Sequence, residues 1–161
     1  MKILVLGFTR SGKTTVAEII SDITGLVCAN TSDAIINEYA LEHDLNYHTI
    51  IKNKDQYRER IFKFARQRQT QDPLWPQEIQ LRTCSILTGL RNRDELKAAS
   101  AYNLYGKVLW VDRDGVTKSK TDDIDINIVK EYFNDVVIVS NNSTKEDLTK
   151  LLKLLIPKMF D

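Results

Sequence analysis

Residues 7–14 read Gly-Phe-Thr-Arg-Ser-Gly-Lys-Thr, which satisfies the pattern G-x-x-x-x-G-K-[ST]. The apolar run Ile3–Leu6 precedes it, and residues 13–24 follow with Val16, Ile19, Ile20 and Ile23 on one helical face. A strand entering a glycine loop that opens a helix is the context that gives this motif meaning. The glycines let successive backbone N–H groups turn towards phosphate oxygens, and the helix adds the positive end of its dipole. In such a loop the lysine reaches the terminal phosphates of a nucleotide and the next hydroxyl ligates Mg²⁺. Gly7, Thr9, Arg10, Ser11, Gly12, Lys13, Thr14 and Thr15 are therefore the expected ATP-binding residues, with Thr14 the Mg²⁺ ligand and Lys13 and Arg10 catalytic. A glycine turn that merely contains Lys-Thr would not account for the flanking strand and helix.

The alternation begun at the loop continues along the chain, as expected for a parallel sheet with helices on both faces. Further strands are expected at 26–29, 85–88, 108–112 and 136–139. The turn at 30–33 leads into a helix reaching about Leu41, and the polar stretch up to Asn53 reads as a loop. Residues 54–70 form a charged helix with Tyr57, Ile61, Phe64 and Ala65 inward, broken by Asp72-Pro73 and Trp75-Pro76. Asn92-x-x-Glu95 reads as a capping box, a short helix is expected at 126–133, and Ser143-x-x-Glu146 opens a last helix that Pro157 stops. That last helix carries Leu148, Leu151, Leu152 and Leu155 as its core stripe. One α/β domain over 1–161 accounts for the whole pattern.

Charge and cysteine usage exclude some partners. With 23 basic and 22 acidic side chains the net charge is +1, so a stable nucleic-acid coat is not expected. No run approaches the ~20 apolar residues of a membrane helix. Neither is there a secretory h-region, and a cytoplasmic location is expected. Cys28 and Cys84, each in an expected strand without metal-like neighbours, read as buried reduced thiols. His43 and His48 read as surface residues, and Trp75 and Trp110 as core.

Phosphoryl transfer needs alignment and charge neutralisation more than covalent help, so arginines beyond the loop are sought. Arg58 and Arg60 lie on the charged helix, Arg91 follows the third strand and Arg113 follows the fourth. Arg91 and Arg113 are thus at the carboxyl edge of the sheet, where ligands bind in open parallel sheets. A solvated helix face competes for Arg60, Arg66 and Arg68. Asp33 suits either the acceptor, a Mg²⁺-bound water or a helix start. Asp112 suits either the metal or a strand-end turn. Glu95 suits either the orientation of Arg91 or its capping box alone, and Tyr57 suits either base stacking or packing.

Four segments carry a family resemblance: GFTRSGKTT at 7–15, Thr31-Ser32-Asp33, KDQYRERIFKFARQRQTQDPLW at 54–75, and the run from LTGLRNRDEL at 87–96 through WVDR at 110–113 to VVIVSNNSTKEDL at 136–148. Their order resembles the phage-type deoxynucleoside monophosphate kinases, a branch of the P-loop nucleoside monophosphate kinase group. The resemblance implies a three-layer domain with a five-stranded parallel sheet in the order 2-3-1-4-5. It implies ATP and a deoxynucleoside monophosphate as substrates, acceptor-binding helices at about 33–75 and a short lid at about 113–125. Ser32, Asp33, Tyr57, Arg58 and Arg91 would hold the acceptor, with Arg58 and Arg91 on its phosphate. Arg113 would close over the transferred group, and Asn141 and Asn142 would sit near the ATP base. A homodimer is implied by the same analogy alone. The chain departs from the family at Thr88-Gly89, where relatives often carry acidic residues, and its lid segment holds one arginine. A dephospho-coenzyme A kinase-like enzyme and a nucleotide-hydrolysing switch are the competing readings. Ser140-Asn-Asn-Ser143 in place of an Asn-Lys-x-Asp base reader disfavours GTP for the latter.

Overall fold

The computed structural model describes residues 1–120 and 122–160. Thr121, within the expected lid, and Asp161 lie outside the described residues.

β1 (Ile3–Leu6) has no exposed surface at any of its four positions, as befits a strand covered on both faces. It is the middle strand of a sheet with β2 (Cys28–Asn30), β3 (Ile86–Thr88), β4 (Lys107–Asp112) and β5 (Val136–Ser140). The order is β2-β3-β1-β4-β5, the one the resemblance implies. Every pairing is parallel, with Ile3 opposite Ile86 on one side and Lys107 on the other. All five strands therefore deliver their following loops to one edge.

Alternation along β1 divides the core. Ile3 and Val5 pack under α1 (Lys13–Thr24) and α8 (Lys145–Phe160), against Val16, Ile20, Leu148 and Leu152. Leu4 and Leu6 face the other way, into a cluster with Leu96 and Ala99 of α6 (Arg93–Ala101) and Val129 of α7 (Ile126–Tyr132). A third cluster contains no strand residue. It joins Ile36, Tyr39 and Ala40 of α2 (Thr31–Glu42), Ile50 of α3 (Tyr47–Lys52) and Phe64 of α4 (Lys54–Gln71).

Several local expectations are revised. The stretch before Asn53 is not a loop throughout: α3 forms there, capped by Asn46, whose side chain accepts from the His48 and Thr49 amides. Ile50 makes this turn worth forming, because it is wholly buried among aromatic rings. Trp75-Pro76 starts a helix, α5 (Trp75–Leu81), since proline at the first turn lacks only an N–H that had no helical partner. Pro157 likewise lies inside α8. One backbone bond is lost there, while Ile156 and Met159 on either side stay buried. Thr144, not Ser143, serves the start of α8, its Oγ1 accepting from the Asp147 amide at 3.2 Å. β2 is shifted to 28–30, and Cys84 lies buried just before β3 instead of within it, with Cys28 half-buried in β2. Among the described residues no helix is long and apolar enough to cross a membrane.

Ile50→Ala should lower unfolding free energy by about 2–4 kcal/mol, the usual cost of emptying a buried aliphatic site. Urea titration reads it directly; a loss below about 1 kcal/mol would return residues 45–53 to the status of a surface loop.

Candidate active site

The phosphate loop turns through backbone that side chains resist. Gly12, the N-cap of α1, has φ 93°, and a Cβ there would lie 2.2 Å from Asn141 Nδ2. At Gly7 a Cβ would meet the Val111 carbonyl at 2.6 Å. Arg10 holds φ 70° without being glycine, a cost of order 1 kcal/mol that concentrates at functional turns. Asn141, just past β5, braces the loop: its Nδ2 donates to the Ser11 carbonyl at 2.8 Å and its amide to the Asp112 carbonyl at 2.8 Å. Thus Asn141 spends its side chain on the loop backbone. Asn142 accepts from the Asp114 amide at 2.7 Å and so holds the chain leaving β4.

Among the described residues, two polar features of this loop have no protein partner. No side chain caps α1, whose first turn also lacks an acidic residue. Ser11 is 1% exposed, yet its Oγ has no hydrogen-bond partner. Open N–H groups at the start of a 12-residue helix, beside a turn that excludes side chains, form a cradle for an anion. Thr14 is exposed on that first turn and Thr15 half-buried behind it. The Lys13 Nζ donates to the Phe8 carbonyl at 2.7 Å, leaving two of its three donors for a phosphate. Burial lowers the Lys13 ammonium from 10.5 to about 8, with the Arg91 charge adding to the shift and Asp122 opposing it.

Next to the loop lies a cavity of about 280 Å³ that Thr9 shares with α2, α4 and the loop after β3. Ser32, Arg58 and Arg91 line it, as the acceptor reading expects, and so do Lys54, Arg66 and Gln69. Apolar walls come from Ile35, Ile61 and the half-exposed Phe62. Arg58 is solvent-exposed and pairs with Asp55 at 3.3 Å. At Gly89 (φ 102°) an added Cβ would be 2.3 Å from Asn30 Oδ1, so the α2 cap excludes a side chain there.

Glu95 at the cavity floor is 2% exposed. Its Oε2 accepts from the Arg91 and Asn92 amides at 3.0 and 3.1 Å, and its Oε1 from Gln69 Nε2 at 2.5 Å. Burial pushes its carboxyl above the usual range, with these hydrogen bonds and the Arg66 charge opposing. Glu95 therefore holds the backbone of Arg91 while completing the capping box with Asn92.

Other expected residues stand apart from the cavity. Asp33, in the first turn of α2, accepts from Tyr47 Oη at 3.4 Å. Tyr57 packs edge-on against Tyr39, with ring centroids 6.5 Å apart. Arg113 and Asp112 are exposed at the end of β4, where a turn is closed by the Val116 amide on the Arg113 carbonyl at 3.2 Å. His43 and His48 are exposed. Among the described residues no cluster of three His, Cys, Asp or Glu suited to a metal occurs. Sequence reasoning passed over Asp122, which is 8% exposed. It accepts from the Thr9 amide and hydroxyl at 3.2 and 3.0 Å and from the Ser119 amide and hydroxyl at 3.1 and 2.9 Å. Burial would raise its carboxyl, but these bonds outweigh it and hold the group below the usual range. Ser119-x-x-Asp122, a short polar side chain three residues from a carboxylate, is the only trace of this in the sequence.

No protein-family model matches the chain, and no curated protein matches it. Among solved structures it is similar to a shikimate kinase from Aquifex aeolicus, with 17% identity, a TM-score of 0.47, and 98% of this chain and 96% of that one covered. It is also similar to an unliganded sugar kinase from a Janibacter species, with 16% identity, a TM-score of 0.40 and the same coverages. Likeness at this level does not bear on what the site binds.

At pH 8 about half of Lys13 is neutral, against under about 1% of an ordinary lysine. A limiting dose of an amine-acylating reagent at pH 8 should therefore label Lys13 ahead of the exposed lysines, and ATP should suppress the labelling. Peptide mapping by mass spectrometry checks both; uniform labelling across lysines would show an unperturbed amine.

Proposed function

We propose that the chain transfers the terminal phosphoryl group of ATP to a small phosphorylated acceptor, a deoxynucleoside monophosphate. The observation that carries this reading is the adjacency of the two halves. An uncapped helix start and the half-buried Lys13 lie next to a cavity lined by Thr9, Lys54, Arg58, Arg66 and Arg91. A cavity lined both by these cations and by Ile35, Ile61 and Phe62 suits a ligand with a phosphate and a flat apolar body.

In the proposed reaction an oxygen of the acceptor phosphate attacks the γ-phosphorus of ATP in line. The bond from that phosphorus to the β-phosphate oxygen breaks, giving ADP and a deoxynucleoside diphosphate. The attacking oxygen is already anionic at neutral pH, so no side-chain base is required. Backbone N–H groups of the loop and the α1 N-terminus hold the donor phosphates, and Lys13 offsets charge on the group in transit. Arg91, steadied by Glu95, holds the acceptor phosphate with Arg58. The Thr14 hydroxyl, exposed on the first turn of α1, would be the protein's ligand to Mg²⁺. When bound, Mg²⁺ would supply charge neutralisation at the phosphates. Arg113 is assigned to closing over the transferred group.

ADP release is to be measured with ATP·Mg and each common dNMP, NMP and dephospho-coenzyme A in turn. One or two deoxynucleotides should stimulate release strongly; stimulation by dephospho-coenzyme A alone would replace the acceptor, and slow hydrolysis indifferent to every acceptor would replace the transferase reading with a switch. Lys13→Ala should abolish transfer. Arg91→Ala should raise the acceptor KM about 10- to 100-fold, the worth of one or two charge-assisted hydrogen bonds, with the ATP KM little changed.

A further inference from the structure

Building on the proposed transfer, we infer that Asp122 is a positioning residue that ties the phosphate loop to the backbone of Arg91 and so sets the donor-to-acceptor spacing. Its two carboxylate oxygens take four hydrogen bonds, two from Thr9 in the phosphate loop and two from Ser119 after β4. The next residue completes the tie: the Asp123 amide donates to the Arg91 carbonyl at 3.0 Å. One dipeptide thus bridges the tip of the loop that cradles the donor and the loop that carries the acceptor arginine. Sequence separation makes the bridge informative, since Thr9 and Asp122 are 113 residues apart and meet only in the folded chain.

The tie joins two loops that are each braced separately. The far side of the phosphate loop is braced by Asn141 on Ser11, and the near side of the Arg91 loop by Glu95. Between the two braces stands Thr9, which lines the acceptor cavity. Its amide and hydroxyl both point to Asp122. A carboxylate that accepts four hydrogen bonds is rigidly placed, because rotation of the group breaks at least two of them. In-line transfer is sensitive to such placement, since a shift of about 1 Å between reacting groups costs about 10²-fold in rate. Asp122 touches neither reactant in this scheme; it acts through Thr9 and Arg91.

The test is Asp122→Ala in the full chain, read in two ways. Direct titration should give ATP and acceptor Kd values within about threefold of wild type, while kcat for transfer falls by about tenfold or more, a split that marks alignment lost from the transition state. Asp122→Asn, which keeps one carbonyl acceptor, should recover part of the rate. Adding Thr9→Val to Asp122→Ala should cost little more, because both variants break the same contact. Independently of any acceptor, hydrogen exchange in the nucleotide-free protein should quicken at 7–12 and 89–92 while β1 stays protected. An unchanged kcat, or exchange unchanged in both loops, would overturn the inference, as would a loss of Kd and melting temperature in proportion to the loss of rate. A wild-type chain that transfers to no acceptor would remove the functional reading instead, and exchange would then decide the tie alone.

Discussion

The turn from β1 into α1 is the constraint on which the site depends. A central parallel strand delivers its last residue between two neighbours, and the chain must reverse within a few residues without filling the space above the sheet edge. Gly7 does so against the Val111 carbonyl and Gly12 against Asn141, both closer than a Cβ permits. The loop is thereby held by its own backbone, by Asn141 on the Ser11 carbonyl and by Asp122 on Thr9, which leaves the start of α1 open. Ser11 Oγ and the start of α1 without a capping side chain are the consequence. Such groups are expensive unless water or an anion meets them, which is why the same turn that closes the fold also makes a candidate anion site.

Charge follows from that arrangement. Lys13 is half-buried beside the loop, and its partial burial, with the Arg91 charge adding to it, lowers its ammonium to about 8. Of the two carboxylates nearby, Asp122 offsets part of that shift, and the oxygens of both are taken up by neighbouring donors. Glu95 serves the amides of Arg91 and Asn92 together with Gln69, and Asp122 serves Thr9 and Ser119. Arg68 shows the opposite design. It stacks on Phe64 and Trp75 and pairs with Glu38 and Glu42, so its charge is used in packing α4 against α2. Arginines on one helix thus divide between structure and cavity according to which face they leave.

Legibility in the sequence tracked the range of the interactions involved. The strand, loop and α1 were readable because hydrophobic period, glycine spacing and Lys-Thr all lie within 22 residues of one another. The capping box at Asn92 and Glu95 was readable for the same reason, and both of its hydrogen bonds are present. Pro76 and Pro157 misled because proline is judged locally as a breaker, whereas its cost depends on its place in a helix and on what its neighbours bury. α3 was hidden because a six-residue helix has no periodicity to display; Ile50 forms it by finding Tyr39 and Phe64. Tyr57 showed helical spacing, which suits packing and stacking equally, and only its neighbour Tyr39 decides for packing.

By itself the sequence determined the α/β class, the phosphate loop with Gly7, Gly12, Lys13 and Thr14, and the placing of Arg91 and Arg113 after strands. Each of these rests on contacts between near neighbours in the chain. Tertiary structure alone decided that Arg58, Arg66 and Arg91 line one cavity while Asp33 and Tyr57 do not, that Asn141 braces the loop, and that Asp122 grips Thr9. Those facts depend on which helix face turns towards the sheet edge and on residues as much as 130 positions apart meeting across it. No periodicity encodes such meetings, because they are products of the strand order and of the packing that closes the chain.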